Sequence, residues 1–122
     1  MERIFFLSGA ISAFLGVTLG AFAAHGLKTR LSTEMFNIFE VGVRYHMYHA
    51  LALLAVSWAC GRWPGLLTNL SGWLFIIGTV VFSGSLYILS LTGLRWLGAI
   101  TPLGGLAFLG GWVCLIWAIL KS

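Results

Sequence analysis

IFFLSGAISAFLGVTLGAFAA, from Ile4 to Ala24, contains no charged residue and is followed closely by Lys28 and Arg30. A bilayer core of about 30 Å is crossed by about 20 helical residues rising 1.5 Å each, so this stretch has the length and composition of a membrane span. The pattern repeats along the chain. An uncharged run starts at Tyr45, after Arg44, and reaches Gly61, where Arg62 and Pro64 interrupt it. Between Arg62 and Arg95, the residues Pro64, Gly65 and Asn69 read as loop and leave Leu70 to Leu91 as a third span. After Arg95 the chain is uncharged until Lys121, long enough for a fourth.

The expected fold is therefore all-α, an integral membrane protein forming a four-transmembrane-helix bundle. It is one domain over residues 1–122, with helices at about 4–25, 33–61, 69–92 and 97–120, and both termini on one side. The second helix carries an amphipathic N-terminal extension. The runs are continuously apolar, whereas strands of a transmembrane barrel alternate every second residue, so helices are expected. With 60% hydrophobic and 8% charged residues and a mean hydropathy of +1.00, a water-soluble domain is excluded. Ala21-Phe22-Ala23 has the small-x-small look of a signal cleavage site, but the preceding apolar stretch is longer than a usual signal core, so a retained first helix is expected.

The net charge of +4 comes from cations scattered at helix ends. It reads as anchoring to the lipid bilayer and gives no basis for nucleic-acid binding. Arg3, Arg62 and Lys121 fall on the side of the termini, and Lys28, Arg30, Arg44 and Arg95 on the other. That bias is too small to orient the protein. Cys60 and Cys114 have no metal-ligand spacing and read as inert thiols, and neither a metal nor another cofactor is expected.

Helices in lipid associate by close backbone approach, which small side chains permit. The first helix has such residues four apart at Ser8, Ser12, Gly16, Gly20 and Ala24. Ser12, Gly16 and Gly20 are taken as packing positions. In the last helix Gly98 and Gly105, and likewise Gly104 and Gly111, stand seven apart, the spacing of a coiled-coil seam. Gly98 and Gly105 are the packing positions taken there. Thr101-Pro102 either starts this helix or kinks a longer one.

The polar residues concentrate between the first two spans. Ser32 or Thr33 would cap a helix continuing through Glu34, Glu40 and Arg44 into the membrane, too long for the bilayer unless it protrudes, tilts or bends at Gly42. At 100° per residue Thr33, Asn37, Glu40, Arg44 and Tyr48 form one stripe, and Glu40 precedes Arg44 in the favourable order for an intrahelical ion pair. His25, His46 and His49 gather at the same membrane face. The plain reading is interfacial anchoring by amphipathic side chains. The sharper one is a pocket between helices 1 and 2, lined by His25, Glu40, Arg44, Tyr48 and His49, that binds a small polar, anionic or lipid-headgroup ligand. No serine sits in a nucleophile motif and the chain has no Asp, so catalysis is not expected.

GAFAAHGLK (Gly20 to Lys28), VRYHMYHALALL (Val43 to Leu54), FSGSLYILSLTG (Phe82 to Gly93) and LGAITPLGGLAFLGGW (Leu97 to Trp112) resemble the signature blocks of the domain-of-unknown-function 423 family, small bacterial inner-membrane proteins similar to the transmembrane protein 256 group. The resemblance implies a four-helix membrane protein of the bacterial inner (cytoplasmic) membrane and implies no activity. By that resemblance Ala24 to Leu27 match an AHGL element and Arg44 to Leu53 an RYQMYHALAL element, with His46 where glutamine is usual. The expected function is a structural or accessory subunit, associating with itself or with a larger membrane complex through small-residue helix faces. The alternative is the ligand pocket just described.

Overall fold

The computed structural model describes residues 1–122. The chain is all helical, with α1 at Glu2–Leu27, α2 at Thr33–Arg62, α3 at Leu66–Thr92 and α4 at Arg95–Lys121. Three of these, α1, α3 and α4, are long and apolar enough to cross a membrane. The second is long enough but less apolar, because Tyr45, His46, Tyr48 and His49 fall in its middle.

Local chemistry explains the ends. The Ser32 hydroxyl accepts from the Met35 amide at 3.2 Å and starts α2, satisfying an amide the helix itself leaves free. Pro64 and Gly65, the latter at φ +144°, turn the chain between α2 and α3. Gly93 takes the left-handed conformation (φ +75°) that ends α3, where a side chain would be strained. Pro102 stands in the first turn of the α-helical part of α4, preceded by a 3₁₀ turn over Arg95–Ala99, so it starts the helix and does not kink it. Two π-turns interrupt the α-helical pattern, Ala23–Leu27 at the end of α1 and Thr79–Ser83 within α3. Each admits one extra residue to a turn and so rotates the residues beyond it about the helix axis.

Neighbouring helices run antiparallel. Glu2 of α1 lies beside Ser57 and Gly61 of α2, and Gly20 beside Val43. The Ser83 hydroxyl of α3 donates to the Gly42 carbonyl of α2 at 2.7 Å, and Asn69 lies near Cys60. Gly104 meets Phe82, and Gly111 meets Phe75. Thus α2 packs between α1 and α3, and α4 packs on α3. Phe5, Leu53, Val56, Phe75 and Phe108 form the main apolar cluster, and Ala23, Leu27 and Phe39 a second at the other end.

The close contacts differ in detail from the small-residue rows of the sequence. On α1, Phe5, Gly9, Gly16, Ala23 and Leu27 are the buried positions, and a Cβ on Gly9 would stand 2.9 Å from the Ala50 carbonyl oxygen. Gly16 fits beneath Met47, and Gly20 stands one contact from Val43, but Ser8 and Ser12 turn into a groove. On α4 the tight seam is Gly104 and Gly111. A Cβ on Gly104 would come within 2.7 Å of the Phe82 Cα, whereas Cβ atoms on Gly98 and Gly105 would have 3.7 and 3.9 Å to their nearest neighbours. The periodicity found both pairs, and the neighbour's bulk decided between them. Gly42 is not a bend either. α2 is continuous through it, and its missing side chain makes room for Tyr87, whose ring would be 2.9 Å from a Cβ there.

Candidate functional site

The polar residues singled out between the first two helices do not converge. His25 is exposed in the π-turn ending α1, Arg44 and Tyr48 are exposed on α2, Glu40 is half-buried, and His49 is buried. His49 points away from α1, toward α3 and α4. The stripe of Thr33, Asn37, Glu40, Arg44 and Tyr48 is an outward face of α2. The ion pair also forms elsewhere. Arg95 reaches Glu34 at 2.8 Å, tying the start of α4 to the start of α2, and it is the one salt bridge in the chain. Its guanidinium holds the Glu34 carboxyl below the usual carboxylate range by hydrogen bonding and charge. Glu40 and Arg44, though in favourable helical order, stay apart.

The buried polar chemistry belongs instead to two histidines three residues apart, which α2 turns toward different neighbours. The His49 Nδ1 donates to the Tyr45 carbonyl one turn earlier at 2.8 Å. Its Nε2 accepts from the Trp112 indole at 3.1 Å. A carbonyl can only accept and an indole can only donate, so these contacts set the tautomer, with the proton on Nδ1. The ring lies flat on Phe108, with 3.5 Å between centroids and 6° between planes, and Phe75 closes the other side.

His46 turns toward α3. Its Nδ1 is 2.8 Å from the Tyr87 hydroxyl, joining α2 to α3. This pair forms the floor of a groove of about 570 Å³ between α1 and α3, lined by Ser8, Ser12, Leu15, Thr79, Val80 and Gly84 among others. Phe5 makes the groove. Buried at one end, its ring fills the space beside Gly72 and meets Trp73 edge-on, holding α1 off α3. A shallower hollow of about 530 Å³ lies where α2 faces α4, lined by Tyr45, His49, Phe82, Gly105 and Trp112.

The family model described as "Protein of unknown function (DUF423)" matches residues 19–105. The chain belongs to that family. It is 47% identical over 120 residues to the UPF0382 membrane protein YwdK of Bacillus subtilis, with 98% of each chain covered. It is 45% identical to a UPF0382 membrane protein of Staphylococcus haemolyticus (98% and 97% covered) and 46% to one of Staphylococcus epidermidis (98% and 97%). No solved structure matches. With relatives named as membrane proteins over almost the whole length, and three helices able to span, the chain is a membrane protein of this family of unknown function.

Sequence reasoning gave most weight to His25, Arg44, Tyr48 and His49 and less to His46, which departs from the resembled pattern. Glutamine also carries a donor and an acceptor that could meet Tyr87, so the departure is chemically mild. Tyr87, Trp112 and Ser8 were not singled out as site residues. The available signal was cost: a histidine or tyrosine inside an apolar span needs a partner, and polar residues on other spans are the supply.

Proposed function

We propose that this protein is a four-span structural or accessory subunit of the bacterial cytoplasmic membrane, with both termini on one side, that acts by helix association and carries no enzymatic activity. The fourth span is α2. It lies antiparallel to α1 from Ser57 and Gly61, beside Glu2, to Val43, beside Gly20, and runs antiparallel to α3 on its other side. A helix between two spans shares their depth, and its histidines are bonded to other helices or to its own backbone, which lowers the cost of burying them. The partners expected are the lipid bilayer and either further copies of this chain or a larger membrane complex.

The observation carrying the association reading is on α4. Internal packing uses Gly104 and Gly111, while Gly105 stays half-buried at the hollow between α2 and α4 with room for a side chain. An accessible backbone of this kind lets another helix approach closely. Gly105→Leu should lower the mass of the assembly extracted in mild detergent, with the monomer still folded. An unchanged mass in Gly105→Leu and Gly98→Leu alike would overturn the reading.

A further inference from the structure

The groove between α1 and α3 has a composition unlike that of a lipid-facing seam. Its walls are Ile11, Leu15, Leu19, Leu53, Ile76 and Val80, yet its floor holds the His46–Tyr87 pair, and no Asp, Glu, Lys or Arg lines it. From Ser8 to Leu19 it follows α1 for about 16 Å, centred near the middle of the Glu2–Leu27 span. Its volume is in the range of small-molecule sites, about 300–1,000 Å³.

The hydrogen bonds within it are incomplete in one direction. Thr18 and Thr79 donate back to the Phe14 and Phe75 carbonyls, both at 2.8 Å, so their hydroxyl protons are used. Tyr87 and His46 share one hydrogen bond at 2.8 Å, and in either direction of that bond the Tyr87 oxygen keeps a lone pair free. What Tyr87, Thr18 and Thr79 retain toward the groove is acceptor capacity. The Ser8 and Ser12 hydroxyls, half-buried, also line the groove. A phospholipid headgroup would need its charge compensated at this depth, and nothing here compensates it.

We infer that this groove binds a neutral, hydroxyl-bearing, membrane-dissolved molecule, a hydrocarbon chain with an alcohol or hydroquinone head. The head donates to the Tyr87 oxygen and accepts from Ser8 or Ser12, and the chain lies along Leu15, Leu19 and Val80. Entry is sideways from the bilayer. The site uses none of the five residues of the pocket expected from the sequence, and it does not depend on the assembly role.

The test is photolabelling of the full chain in lipid nanodiscs with a diazirine-bearing hexadecanol, followed by peptide mapping. Label is expected on Ser8–Leu19 and Ile76–Tyr87, displaced by excess hexadecanol or decylhydroquinone. The stronger of those two competitors identifies the head. Hexadecyl methyl ether, which cannot donate, should compete about tenfold less well, and Tyr87→Phe should erase that difference. Gly84→Leu, where a Cβ meets nothing within 4 Å, should abolish labelling without altering thermal stability. Equal labelling of the outward face of α4, equal competition by ether and alcohol, equal competition by hexadecyl phosphate, or full labelling of Gly84→Leu would each overturn the assignment.

Discussion

The Trp112 indole nitrogen and His49 Nε2 stand 3.1 Å apart, joining α4 to α2 across the bundle. Because His49 spends its own proton on the Tyr45 carbonyl, the indole proton has an acceptor and the imidazole has no unpaired nitrogen. The ring is thereby fixed in rotation and stacks on Phe108.

Trp112→Phe should keep much of the aromatic contact and remove the donor. Interhelical hydrogen bonds in membranes contribute about 1 kcal/mol, so a loss of this order plus some packing is expected in a denaturation titration in detergent. The more specific sign is spectroscopic. The ¹⁵N resonance of His49 Nε2 should move on losing its donor, while the Nδ1–H bonded to Tyr45 stays. An unmoved Nε2 resonance would show that the two rings are not bonded.

The glycines of α4 give a second contrast. A methyl group on Gly104 would stand 2.7 Å from the Phe82 Cα, against backbone that cannot step aside, whereas on Gly105 it would have 3.9 Å. Overpacking of this kind costs about 1–3 kcal/mol or more. Gly104→Ala should therefore unfold at clearly lower denaturant than the native chain, and Gly105→Ala within about 0.5 kcal/mol of it. Equal stability of the two variants would contradict the seam.

The three helices able to span were legible in the sequence because charge excludes a segment from hydrocarbon wherever it occurs, so Lys28, Arg62 and Arg95 mark limits without knowledge of the fold. Turn residues added the rest, as at Pro64 and Gly65. The site was harder. The helical wheel separates His46 from His49 by about 60°, which says they differ in direction but not what each meets. Their partners, Tyr87 and Trp112, lie 41 and 63 residues away. The π-turn at Thr79–Ser83 also shifts the facing of Ser83 and Tyr87 relative to a regular helix, and nothing in the residues TVVFS announces it. Glu34 found Arg95 through the juxtaposition of two helix starts, a relation no intrahelical spacing encodes.

That ion pair yields a prediction with a definite sign. Arg95 lowers the Glu34 pKa, so the favourable contribution is present above the unfolded carboxylate value and is lost as pH falls through the lower folded one. Both side chains are exposed, at 68% for Arg95 and 59% for Glu34, so the effect on stability should be small and weakened by salt. The carboxyl titration followed by ¹³C NMR should shift upward in Arg95→Gln. An unchanged midpoint would mean that the pair does not form in solution.

The decisive question for the architecture is whether α2 crosses the bilayer with its neighbours, since it is the helix whose composition falls short. If it crosses, the Lys28–Leu31 turn and the Gly93–Leu94 turn share one side, and Trp63–Gly65 lies on the other with both termini. If it does not, the turns before and after α2 lie on the same side. Single cysteines at Thr29, Gly65, Leu94 and Ser122, in a chain with Cys60 and Cys114 replaced by alanine, separate these cases by labelling intact spheroplasts with a membrane-impermeant maleimide. Thr29→Cys and Leu94→Cys should behave alike and opposite to Gly65→Cys and Ser122→Cys. The geometry argues for this outcome, because the bonds from Ser57 to the Glu2 carbonyl at 2.6 Å and from Ser83 to the Gly42 carbonyl at 2.7 Å attach α2 to both flanking helices. An α2 lying on the surface would have to break both and leave His46 and His49 without Tyr87 and Trp112. Identical labelling of Thr29→Cys and Gly65→Cys would therefore refute the antiparallel packing as well as the span.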